Sequence, residues 1–151
     1  MKITNLLVSF GIAASVSGAS LAEQNFNRIA SFPTYHNIVV EEEREQETSA
    51  EIIAATADGM TLVYTDGPLA AVGMIDITNP AHPKPAGLMM MDGEPTSVAI
   101  VGQTAFVGVN TSTSYDAPSG YLAVIDISSK TVSQRCTLNG QPDSIAAAKD
   151  G

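Results

Sequence analysis

Between residues 51 and 138 the chain is written in short apolar runs, each closed by Gly, Pro, Asp, Asn or a Ser/Thr cluster. TLVYT (61–65), TAFVGV (104–109) and YLAVIDI (121–127) are rich in β-branched and aromatic residues and too short to carry the apolar stripe of a helix. The pattern predicts strands. DG at 58 and TDGP at 65 supply turns in the first half, and VGQ at 101 and NTSTSYDAPSG from 110 supply them in the second. Eight strands are expected, over 51–57, 61–65, 70–77 and 86–91, then over 97–101, 104–109, 121–127 and 132–138.

The two sets are copies of one another. MIDI at 74–77 recurs as VIDI at 124–127, and DGEPTSVAI from Asp92 recurs as NGQPDSIAA from Asn139, 47 residues later. A weaker third member, SAEIIAA from Ser49, lies 46 residues before PTSVAIV at Pro95. Four antiparallel strands in a repeat of this length form the blade of a β-propeller, in which each twisted sheet buries its faces against its neighbours. A β-sandwich also uses short strands, but it gives no reason for successive blocks to repeat the same tetrads. The expected fold is therefore all-β, with an acidic leading segment at 23–48, blades at 49–94 and 95–141, and the first strand of a further blade at 142–151. Two blades and one strand fall short of the four to eight of a closed ring, so the expectation is a truncated propeller with open faces on both sides, the alternative being a piece that oligomerises to cover its edges.

GYLAVIDISSKTVSQRCTLNGQPDSIAAAKDG, residues 120–151, resembles the blade of YVTN-type and related bacterial propeller repeats, whose pattern passes from an apolar V-I-D strand through a short polar turn to G-x-P and D-G. SAEIIAATADGMTLVYTD with GEPTSVAIVGQTAFVGVNTS resembles the N-terminal propeller of exported bacterial proteins of the esterase-like, phytase-like group. The resemblance spans residues 26–151. It implies the fold and carries no catalytic motif that transfers residue by residue.

Within the signature, Asp76 and Asp126 stand at strand ends before TNP and SSK, where a short carboxylate accepts hydrogen bonds from turn N–H groups. Pro95 and Pro142 precede the inner strands, and Gly93 and Gly140 relieve the crossing between blades. The three prolines of TNPAHPKP, at 80, 83 and 85, predict a stiff loop rather than strand.

Lys2, an apolar run to about Gly18, and SLA before Glu23 form the charge, core and small-residue cleavage pattern of an export signal over residues 1–22. The apolar run is shorter than the roughly 20 residues of a membrane-spanning helix, so no stable span is expected after its removal. The expected location is periplasmic or extracellular. The net charge of −9 disfavours nucleic acid, whose phosphates need a basic footprint. EEEREQE at 41–47 concentrates the acid and suits a solvated linker. Cys136 is the only cysteine, so no intrachain disulfide forms and a half-buried strand thiol is expected; without Trp, the core must be Ile, Val, Leu, Met and Ala.

Alternation of the strands places the loop before each inner strand and the loop between the second and third strands at one end of the sheets. Glu51, Ser97 and Ser144 fall there in equivalent slots, beside Asp143 and the long loop with Tyr115 and Asp116. Converging polar loops make this face the candidate binding site. No G-x-S-x-G surrounds Ser97 or Ser144, and His36 and His82 stand in the leading segment and the proline loop, so no nucleophile and base are paired in sequence. Two functions remain open: a non-catalytic module that binds a ligand or protein on the loop face, with no cofactor of its own, or the N-terminal part of a secreted phosphoesterase or esterase whose full-length parent holds Ca²⁺ on acidic loops.

Overall fold

In the computed structural model, which describes residues 27–148, the chain is all-β. The export signal expected at 1–22 and the last three residues lie outside the described residues. One four-stranded sheet is built from β1 (Ala50–Ala55), β2 (Thr61–Asp66), β3 (Ala71–Asp76) and β4 (Lys84–Met90), and a second from β5 (Glu94–Val101), β6 (Thr104–Asn110), β7 (Gly120–Asp126) and β8 (Thr131–Leu138). In each sheet the strands stand in chain order and every neighbouring pair is antiparallel. The first sheet lies within the block at 49–94, and the second begins at Glu94, one residue before the block at 95–141.

The hairpin turns follow from local chemistry. Between β1 and β2, Gly59 takes φ 68°, and Asp58 Oδ1 accepts the Thr56 hydroxyl at 2.6 Å and the Met60 N–H at 3.0 Å. The two strand-end aspartates act as the sequence suggests. Asp76 Oδ1 accepts the Thr78 N–H at 2.8 Å, and Asp126 Oδ1 accepts the Ser129 N–H at 2.7 Å and the hydroxyls of Ser128 and Ser129. These donors favour the charged form, led by the Ser129 N–H, and hold the Asp126 pKa down to about 2. A carboxyl depressed in the folded state stabilises the fold above its ordinary pKa near 3.8, and that share is lost as pH falls from there through 2. Carbon-detected NMR titration should therefore find Asp126 still ionised at pH 3, and Ser129→Gly should raise its midpoint.

Period-2 alternation decides which side chains meet. Ala105, Val107 and Val109 of β6 and Tyr121, Ala123 and Ile125 of β7 share one face of the second sheet and are buried. They pack with Val98 against Val63, Val72 and Met74 of the first sheet and Met91 just past β4, and β5 contacts β1, β2 and β3. Fully burying a side chain of this size is worth roughly 1.5–3 kcal/mol, so this inter-sheet layer is the main source of stability. At its margin the exposed Arg135 pairs with Asp92, and its guanidinium lies 4.9 Å from the centroid of the Tyr121 ring. Exposed pairs contribute at most about 1 kcal/mol, so the bridge orients β8 more than it stabilises it. Cys136 is half-buried on β8, the outermost strand.

The outer face of the first sheet departs from expectation. It is covered, because residues 29–40 of the leading segment fold back over it, with a 3₁₀ turn at Thr34–Asn37 packed on β3 and β4. Ile38 joins Leu69, Ala71 and Leu88 in a small second core, while Ile29 and Phe32 line a groove with Leu62, Ile75 and Ile77. Asn37 is buried and fastens the segment: its Nδ2 donates to Tyr64 Oη at 2.9 Å and to the Met74 carbonyl at 3.0 Å. Burial, with Asp66 nearby, raises the Tyr64 phenol above its ordinary 10. The acidic run at 41–47 is largely exposed, as the solvated stretch expected there.

Two smaller expectations also change. Pro85 is not in the loop but within β4, opposite Ile75, where the ladder shifts register between Met74 and Ile75. β4 is the outer edge of its sheet, so a residue without N–H costs no ladder bond on the solvent side. Gly93 does sit in a tight crossing, since a Cβ there would collide with the Asn110 carbonyl, whereas a Cβ at Gly140 would meet open space.

Candidate functional site

The end of the sheets that carries the β2–β3 and β6–β7 loops also carries the start of each inner strand. The β6–β7 loop, residues 111–119, is long for a hairpin connection yet pinned by its own hydroxyls. Thr111 N–H donates to the Ser119 carbonyl at 3.0 Å, the Thr111 and Ser119 hydroxyls meet at 2.8 Å, and Ser112 Oγ accepts the Ser119 N–H at 3.0 Å while donating to the Ser119 carbonyl. Asn110 Oδ1 accepts the Ser112 N–H at 2.9 Å and fixes the base of the loop. These bonds replace the ladder that the loop lacks. Tyr115 is thereby held at the tip with its side chain fully exposed.

Below the tip lies a concavity of about 260 Å³ lined by Glu94, Asn110, Ser112, Thr113, Ser114, Tyr115 and Gln141. Glu94 and Gln141 are one 47-residue step apart in the repeat, each directly before a proline. Gln141 Nε2 donates to Asp143 Oδ1 at 3.1 Å, which turns its amide oxygen free of that bond.

Of the residues singled out in the sequence, Tyr115 lines this concavity, and Asp116 and Asp143 stand exposed beside it on the same loop and strand approach. Glu51 is exposed at the mouth of the first sheet, its carboxylate against Gly67. Ser97 is elsewhere: it is buried within β5, and its Oγ accepts the Ile145 N–H at 3.1 Å. Ser144 is exposed next to that bond. The offset has one cause. The inner strand begins at Glu94 and not at Ser97, so the mouth of the site lies three residues earlier than the sequence pattern suggests.

Residues 141–148 make no ladder, yet they are seated. Pro142 rests in a notch over Gly108 and Gly120, where a Cβ at Gly120 would collide with Pro142 Cδ, and Thr96 Oγ1 donates to the Pro142 carbonyl at 2.6 Å. Beyond it, Ile145 to Ala148 border an apolar groove of about 350 Å³ with Ala99, Val101, Phe106 and Leu122 on the outer face of the second sheet. Among the described residues no three His, Cys, Asp or Glu side chains converge as a metal site would require, and no helix is long and apolar enough to cross a membrane.

No protein-family model and no curated protein sequence matches this chain. Among solved structures, a chain of the Kuenenia stuttgartiensis hydrazine synthase is similar over 58% of this chain and 24% of its own length, with 22% sequence identity and a TM-score of 0.49.

Proposed function

We propose that the two sheets are successive blades of a β-propeller, that residues 142–148 hold the place of a third blade's inner strand, and that the protein is an exported, non-catalytic module that binds a ligand or partner on its loop face. The observation that carries this reading is the polar concavity at the mouth of the second sheet, where two positions one repeat apart, Glu94 and Gln141, meet a hydroxyl-pinned loop that presents Tyr115. Rigid sheets that hold variable loops together at one end are the usual way a repeat scaffold builds a recognition surface. The groove beside Ile145 supports the blade reading, because it continues the apolar face-to-face packing already made between the first two sheets.

A fragment screen by amide chemical-shift mapping tests the function. Hits whose shifts cluster on residues 94, 110–116 and 141 support the loop face. Hits confined to the groove around Phe106 and Leu122, or no hits, overturn it.

A further inference from the structure

The lining of the loop-face concavity says which ligand chemistry fits. This step rests on the reading of that face as a binding site. Six of its seven side chains are uncharged, and the seventh, Glu94, is a carboxylate. No Lys or Arg lines it, so an anionic group would enter against Glu94 and the nearby Asp143 with no countercharge. A hard divalent cation takes about six to eight oxygens, usually several of them charged, and one carboxylate with neutral hydroxyls and amides is a poor cage.

What remains is dense in neutral groups that both donate and accept. Two amides, Asn110 and Gln141, line the space with the hydroxyl residues Thr113 and Ser114, while Ser112 lines it with a hydroxyl already bonded to Ser119. Asn110 Oδ1 and Gln141 Nε2 are already held by Ser112 N–H and Asp143 Oδ1, which orients the amides and leaves Asn110 Nδ2 as donor and Gln141 Oε1 as acceptor. A donor and an acceptor fixed in this way match the paired donor and acceptor of vicinal hydroxyls, and Glu94 supplies a strong acceptor for a third. Tyr115 adds an aromatic platform without a buried role of its own, fully exposed on a loop whose pinning lowers the entropy lost on binding.

We propose that this concavity binds a neutral, hydroxyl-rich ligand, a saccharide unit stacked on Tyr115 and hydrogen-bonded by Glu94, Asn110 and Gln141. The test is titration of the full chain with maltohexaose, cellohexaose and chitohexaose, each to about 10 mM, followed by amide shifts and calorimetry, with a nine-residue oligolysine as the contrasting probe. The expected result is saturable binding of at least one oligosaccharide, with shifts on residues 94, 110–116 and 141. Tyr115→Ala should weaken it about tenfold and Tyr115→Phe should preserve it, and because Tyr115 is fully exposed neither change touches the core. Binding of oligolysine alone at these same residues would overturn the saccharide and leave the loop face standing. Saccharide shifts that survive Tyr115→Ala, or that fall on the Phe106 groove, would overturn the proposed site. No binding of any probe at the loop residues, with fragment hits also absent there, would overturn both readings.

Discussion

Gly73→Ala is expected to destabilise the protein by about 3 kcal/mol or more, an effect out of proportion to one methyl group. Gly73 lies opposite Tyr64 in the β2–β3 ladder and opposite Leu88 in the β3–β4 ladder, with ordinary strand backbone, so the cost does not come from φ. It comes from the Tyr64 ring, which lies over the glycine. A Cβ built at Gly73 falls on Tyr64 Cζ, Cε1 and Oη, far inside the roughly 3.5–4.0 Å of a normal carbon contact. The ring cannot yield locally, since Tyr64 is among the largest fully buried side chains and its hydroxyl is held by Asn37. Overpacking alone costs about 1–3 kcal/mol, and expelling the ring adds the loss of a buried aromatic and of its hydrogen bond. Urea unfolding measures the total. In a Tyr64→Ala background the same Gly73→Ala change should cost less than about 1 kcal/mol, because the clash has gone; equal costs in both backgrounds would refute the account.

How much of this could be read from the chain differs by feature. Strand positions were legible because TLVYT, TAFVGV and YLAVIDI combine a period of two with turn residues at both ends, and the turn aspartates were legible because Asp76 and Asp126 recur in one local setting. Strand ends were less so. Pro95 masks the start of β5, since proline signals a boundary, whereas here it is paired with Val109 inside the strand next to a register shift. That misplacement moved the mouth of the site to Ser97 and hid Glu94 and Gln141, although their shared spacing from Pro95 and Pro142 is a signal the repeat contains. Pro85 was hidden likewise, by two neighbouring prolines that do stay in the loop.

The leading segment was illegible for a different reason. Nothing periodic announces it, and its polar anchor, Asn37, resembles any loop asparagine until Tyr64 is placed beside it. The consequence is an asymmetry between the two outer faces. On the first sheet residues 29–40 form a strap over the outer face, while on the second, among the described residues, the stretch 142–148 lies along an apolar groove.

Asn37→Ala tests how firmly that strap is held. The substitution removes the donor from Tyr64 Oη and the Met74 carbonyl and the acceptor for the Gly87 N–H at 3.4 Å, all in a buried or part-buried setting. Each buried polar group left without a partner costs about 1–3 kcal/mol, but the strap can peel away and let water reach them, which caps the loss. The expected result is a strap opening that is easier by about 2 kcal/mol, or roughly thirtyfold faster hydrogen exchange at the amides of His36, Ile38 and Gly87. β6 and β7 should be unaffected, since their core face packs against Val63, Val72 and Met74 on the opposite side of the first sheet from Asn37. Asn37→Asp should be at least as damaging, because it puts an acceptor against the Met74 carbonyl where a donor is needed. Uniform acceleration across both sheets would mean that the strap and the sheets open as one unit, and unchanged exchange at His36 and Ile38 would mean that Ile38, Leu69, Ala71 and Leu88 hold the segment without Asn37.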